Sequence, residues 1–162
     1  MNNISKFVFL FGIIVSISFS CDKGEGENEK PEEITFKLVK GLSVCDDSCN
    51  LKINKYNDTS FIINSQLEYE SLFECYSYYE LPFIDFSKYT LLTGSKTVGG
   101  ICPTIVSQQV LKYTINKKII YKVLVKAGGY SARGSAYYHA LISKVEDKFD
   151  IEFDVTIEPI IY

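Results

Sequence analysis

Apolar and polar positions divide the chain into three stretches. An almost unbroken apolar run extends from Phe7 to Phe19, with Lys6 before it and Ser20-Cys21 after it. Residues 22–33 carry almost no apolar side chain. From Ile34 onward apolar residues recur in short runs bounded by Gly, Pro, Asn and Asp, the pattern of strands between turns. Residues 34–39 read as a first strand, with shorter ones at 51–53 and 61–63. The stretch 84–92 leads into another strand, and Gly99-Gly100 with Pro103 signals a bulge or turn after it. Residues 105–115 and 119–126 read as a hairpin around Asn116-Lys117-Lys118. A glycine-containing loop at 128–135 precedes a strand at 136–145. In the last segment Phe149, Ile151, Phe153, Val155 and Ile157 alternate with Asp150, Glu152, Asp154 and Thr156. One face is then dry and the other wet, which predicts an antiparallel sheet.

One segment has helical spacing instead. Ser65 and Glu68 fit a capping box, in which each side chain satisfies a free backbone N–H at the helix start. Tyr69, Leu72, Phe73 and Tyr76 then fall on one face, which predicts a helix over about 66–76. Pro82 breaks the loop that follows. The fold class expected is α+β: an antiparallel β-sheet or partly open barrel with one packed helix.

The N-terminal run is too short to cross a bilayer, which takes roughly 20 residues. A basic residue before it and small residues after it are what signal processing needs. Ser18-Phe19-Ser20-Cys21 resembles the lipobox of bacterial lipoproteins. The resemblance implies cleavage before Cys21, a diacylated thioether on that cysteine and an acylated amino terminus. Two or three acyl chains hold a protein on a membrane where one would not. Plain secretion is the alternative. The expected organisation is therefore a signal peptide over 1–20, an acidic flexible tether over 21–33 and a single β-rich domain over 34–162.

Charge supports that division. Residues 22–33 hold six acidic and two basic side chains, whereas acid and base balance at 14 each from Ile34 onward. A segment so polar cannot offset its ordering entropy by burial. An acidic tract after a lipidated cysteine resembles the export signal of Gram-negative lipoproteins displayed on the outer surface. A solvated spacer is the other reading, and both stay open. The placement expected is the outer membrane of a Gram-negative bacterium. No clustered basic face appears, so no nucleic-acid partner is expected.

Four cysteines follow Cys21: Cys45, Cys49, Cys75 and Cys102. An even number in an exported chain suggests disulfides, with three possible connectivities. Loop closeness favours Cys45 with Cys49, leaving Cys75 with Cys102.

Candidate chemistry is sparse. His139 is the only histidine, and its strand context, Ala-Tyr-Tyr-His-Ala-Leu-Ile, reads as a packed residue and not as part of a triad. Cys45-Asp46-Asp47-Ser48-Cys49 matches neither a calcium loop nor a Cys-x-x-Cys zinc pair, so no metal site is expected. Gly94-Ser95-Lys96-Thr97 lacks the glycines of a phosphate loop. Gly129 to Gly134 has one residue too many for a nucleophile elbow. Arg133 stands alone among 16 lysines, in the glycine-containing loop with Tyr130 and near Tyr137. Tyr and Arg are typical binding anchors, so these three are the candidate ligand contacts.

Ser65, Glu68, Tyr69, Leu72 and Phe73, then Ile84-Asp85-Phe86-Ser87, Leu91-Leu92, Gly94, Gly99-Gly100 and the later hairpin, together resemble the PrcB C-terminal-like domain over about 61–145. That domain occurs in bacterial exported proteins, some of them linked to protease complexes. The resemblance implies a small β-rich binding or assembly module and carries no catalytic residue. Three functions are thus in view. The first is a non-catalytic, lipid-anchored envelope module, without cofactor, that binds a protein or glycan partner. The second is an assembly subunit or regulator of an envelope protease. The third is a hydrolase whose site forms only on folding.

Overall fold

The computed structural model describes residues 29–42, 49–52, 57–76 and 78–159. The apolar leader, Cys21, the first part of the acidic segment and Cys45 lie outside the described residues. Among the described residues ten elements follow one another: β1 (Glu32–Ile34), β2 (Cys49–Leu51), β3 (Thr59–Ile63), α1 (Gln66–Leu72), β4 (Phe73–Cys75), β5 (Tyr89–Ile101), β6 (Thr104–Tyr113), β7 (Lys118–Lys126), β8 (Gly129–Ser143) and β9 (Asp150–Ile157). They form a four-stranded sheet ordered β1-β6-β7-β9, a three-stranded sheet β3-β5-β8 and a two-stranded ribbon β2-β4. The sheets are open: among the described residues none closes into a barrel.

The β3-β5-β8 sheet lies between two cores. On one face Leu92, Tyr138, Ala140 and Ile142 pack with Val110, Ile119, Tyr121 and Val123 of the four-stranded sheet. On the other face Leu91 and Ile63 pack with Tyr69, Phe73, Phe86, Leu51 and Cys49 under the helix and ribbon. Neighbouring Leu91 and Leu92 therefore serve different cores, and both are fully buried. Each such side chain contributes about 2 kcal/mol relative to exposure. This double coverage explains why β5 is buried over most of its first half instead of alternating.

Several expectations change. The helix ends at Leu72, not near 76, because Phe73 is already extended and opens β4. The capping box does form: Ser65 Oγ accepts the Glu68 N–H at 3.3 Å, and the Glu68 carboxylate accepts the Asn64 N–H at 3.0 Å. Tyr76, expected on the helix face, is largely exposed. Glu32 and Glu33, expected in the tether, belong to β1 and pair with Lys112 and Leu111. Of the expected strand 34–39, Ile34 belongs to β1 and Lys37 bridges to Leu141 of β8, so 35–39 is a strap joining the two sheets and not a regular strand.

The expected loop at 128–135 is instead mostly the first half of β8, paired with Thr97, Val98 and Gly99. The bulge at the double glycine is present: register shifts between Gly99 and Ile101, and Gly100 has φ +88. A Cβ there would strike the Gly128 backbone. The last strand alternates as expected, but its neighbour β7 runs parallel to it, with Ile119 beside Ile151 and Tyr121 beside Phe153. Between them the chain passes through β8 in the other sheet, so β9 re-enters in the direction of β7. Alternation reports a half-buried strand and is blind to its neighbour's direction.

The favoured cysteine pairing is overturned. Cys49 bonds to Cys75, facing residues of the β2–β4 ribbon with Cα atoms 4.0 Å apart. Sequence closeness misled because β4 returns Cys75 to Cys49 across 26 residues. Cys102 carries a free, exposed thiol.

Candidate functional site

The segment after β4 presents the densest exposed aromatic surface among the described residues. Tyr76, Tyr78, Tyr79 and Phe83 are 63%, 96%, 57% and 87% exposed. The local fold explains why. The Cys49–Cys75 bond pins the start of the segment, and the Cys49 sulfur lies 3.7 Å from the Glu80 carbonyl oxygen. Ile84 and Phe86 then anchor its end in the core, with Phe86 edge-on to Tyr69 at 5.7 Å. Between those two fixed points the rings have no core to enter. Glu74, Glu80 and Asp85 accompany them, and no basic residue occurs from Phe73 to Ser87. The Ser87 hydroxyl and N–H, with Lys88, hold the Asp85 carboxyl down at about 2. Clustered exposed apolar surface of this kind marks interaction sites. The signal was present in the sequence as four rings within eight residues beside Pro82, in a stretch that reads only as a loop.

Of the three expected contacts, Tyr130 lies near the start of β8. Arg133 is an exposed strand residue opposite Gly99. Tyr137 pairs with Ser95 four residues further along β8, about 13 Å from Arg133. Arg133 and Tyr137 thus share one strand without meeting. Tyr137 lines an open groove of about 360 Å³ together with Phe36, Leu38, Ile105, Val106 and His139. The groove runs beside the strap that leaves β6 after Ile34 and bridges to β8 at Lys37.

His139 is held, as its context suggested. Its Nε2 accepts the Val39 N–H at 3.0 Å, so that lone pair is engaged. Burial pushes its pKa down to about 4, because the charged form would lose water. A second open cleft, of about 370 Å³, lies where the chain enters the domain, lined by Glu33, Ile34, Lys112, Lys144, Glu146 and Phe149. Among the described residues no group of three or more His, Cys, Asp or Glu side chains is placed to hold a metal ion. No described helix is long and apolar enough to cross a membrane.

Comparison with protein-family models, with curated proteins and with solved structures finds no match.

Proposed function

We propose that the chain is a lipid-anchored binding module of the Gram-negative cell envelope. It is held in the outer membrane through acyl chains on Cys21 and captures a protein or glycan partner on the 76–83 surface. The observation that carries the binding reading is the exposure of Tyr76, Tyr78, Tyr79 and Phe83 on a segment fixed at both ends. Rigid aromatic side chains give large contact area at low entropic cost on binding. Anchoring rests on the short apolar run that stops at Cys21 and on the acidic segment behind it. Arg133, exposed on β8, is a second contact candidate of this module.

The test is affinity capture from detergent-solubilised membranes with the full-length chain and with its Tyr78→Ser/Phe83→Ser form. Both side chains are almost wholly exposed, so the double variant keeps its melting temperature. The expected result is a partner retained by the natural chain and lost by the variant. Equal capture by both forms overturns the surface assignment. An envelope protease as that partner would make the module an assembly subunit, the role that the resemblance to the PrcB C-terminal-like domain implies.

A further inference from the structure

We infer that the β6–β7 turn is the membrane-facing pole of the domain, and that the pole carrying Arg133 points away from the bilayer onto which the chain is tethered. This rests on the lipid anchor proposed above.

The Ile115 and Asn116 N–H groups of the turn donate to the Glu29 carboxylate at 2.8 and 3.3 Å. Three residues later β1 begins, and it pairs Glu32 with Lys112 and Ile34 with Val110, next to the same turn. The chain therefore enters the domain at this pole. Only residues 22–28 separate Cys21 from Glu29. Eight peptide steps span at most about 29 Å, so the turn cannot stand further than that from the anchor.

The opposite pole is a strand length away. β6 has ten residues from Thr104 to Tyr113, which is about 34 Å. The β5–β8 ladder, from Tyr89 opposite Ser143 to Gly99 opposite Arg133, follows β6 from pole to pole: Ser143 shares a cleft with Lys112 at the near end, and Gly134 approaches Pro103 at the far end.

Charge does not pull the domain flat. At the near pole Lys112, Lys117, Lys118, Lys144 and Lys148 are interleaved with Glu29, Glu33, Glu146, Asp147 and Asp150. Along the β7–β9 face Lys118, Lys122 and Lys126 lie 2.6, 4.0 and 3.7 Å from Glu152, Asp154 and Glu158. Balanced surfaces gain little from anionic lipid, unlike polybasic segments. The point of attachment then sets the orientation. At the tip of the turn Ile115 is 69% exposed, an apolar side chain suited to the headgroup boundary of a zwitterionic bilayer.

The experiment uses the full-length lipidated chain on phosphatidylcholine vesicles that carry an energy-transfer acceptor on a headgroup. A bioorthogonal fluorophore is placed at Asn116 or at Ser131, both exposed. Transfer from position 116 is expected to exceed that from 131 by about twofold or more, given the ~34 Å between the poles. The ratio should persist when phosphatidylserine is added. Equal transfer, or stronger transfer from 131, overturns the orientation while leaving the anchor intact. A ratio abolished by phosphatidylserine overturns the claim that attachment sets the orientation. A chain that fails to float with the vesicles overturns the anchor itself, and the orientation with it.

Discussion

Tyr138 lies across Gly94, its partner in the β5–β8 register, with its hydroxyl at the edge strand β3. That hydroxyl donates to the Thr59 carbonyl at 2.9 Å and lies 2.8 Å from Ser60 Oγ. A Cβ on Gly94 would collide with the Thr59 carbonyl oxygen and with the Tyr138 hydroxyl and ring. The glycine is thus the gap through which a tyrosine ties the middle of the sheet to its edge while its ring meets Tyr121 at 5.8 Å. Gly94→Ala should destabilise the domain by about 1–3 kcal/mol, the range of overpacked cores. Urea unfolding measures it. The double variant with Tyr138→Ala should cost less than the sum of the two single changes, because the ring's share of the collision disappears and only the Thr59 carbonyl oxygen is left in the way.

His139 makes stability depend on pH above the carboxylate range. Its folded pKa, about 4, lies below the ordinary value of 6.5. Between those values the unfolded chain binds more protons, so stability rises with pH. The contribution is fully present above pH 6.5 and is lost as pH falls toward 4. A displacement of this size corresponds to about 3 kcal/mol at full development. The natural chain should lose stability steadily from pH 6.5 to 5. His139→Gln should be flat there, since depressed carboxylates such as Glu68 and Asp58 titrate lower. Urea midpoints across that range decide it, and parallel slopes for the two proteins would refute the assignment.

Local chemistry was legible in the sequence, and partnership across the fold was not. The capping box, the bulge at Gly99-Gly100 and the β6–β7 hairpin each depend on residues near one another in the chain, and each formed as expected. The helix end was misjudged because Tyr76 continues a 3.6 period that the β2–β4 pairing overrides at Phe73. The first half of β8 read as a loop because Gly128 just before it and Gly129 and Gly134 within it suit turns. Two of them instead permit close approach: a Cβ on Gly128 would strike Ile101, and one on Gly134 would strike Gly100. At the candidate site, Arg133 was singled out by rarity and lies exposed on a strand. The aromatic segment was passed over because exposure depends on where the core ends. Only the anchors at Cys75 and Phe86 reveal that.

Tyr69 carries a structural cost that can be removed. The residue is completely buried, with its ring 5.0 Å from Phe73 and 5.7 Å from Phe86. Its hydroxyl has no hydrogen-bond partner among the described residues, and burial raises its pKa well above the ordinary tyrosine value. A buried donor without a partner costs its full desolvation. Tyr69→Phe keeps the ring and removes the penalty, so it should stabilise the domain by about 1 kcal/mol. Tyr138→Phe, which loses two partners, should destabilise by a similar amount. Opposite shifts of the two melting temperatures are the expected outcome.

The disulfide joins the two strands of the ribbon, and its removal tests both the pairing and the aromatic segment. Cys49 is buried in the core that holds Tyr69, Phe73 and Phe86, and its bond to Cys75 closes a 26-residue separation spanning β3 and α1. A loop of that length corresponds to about 3.5 kcal/mol of stabilisation in the chain-entropy account. Non-reducing peptide mapping should recover Cys49 joined to Cys75 and Cys102 available to alkylation; a Cys45–Cys49 peptide would refute the fold around β2. Cys49→Ala/Cys75→Ala should lower stability by the stated amount. It should also release the segment that carries Tyr76, Tyr78, Tyr79 and Phe83, since its first anchor is gone. Faster amide exchange across 76–83, with unchanged protection in β5 and β8, would show that the bond holds those rings in place. Protection lost equally throughout would mean that the bond supports the whole domain.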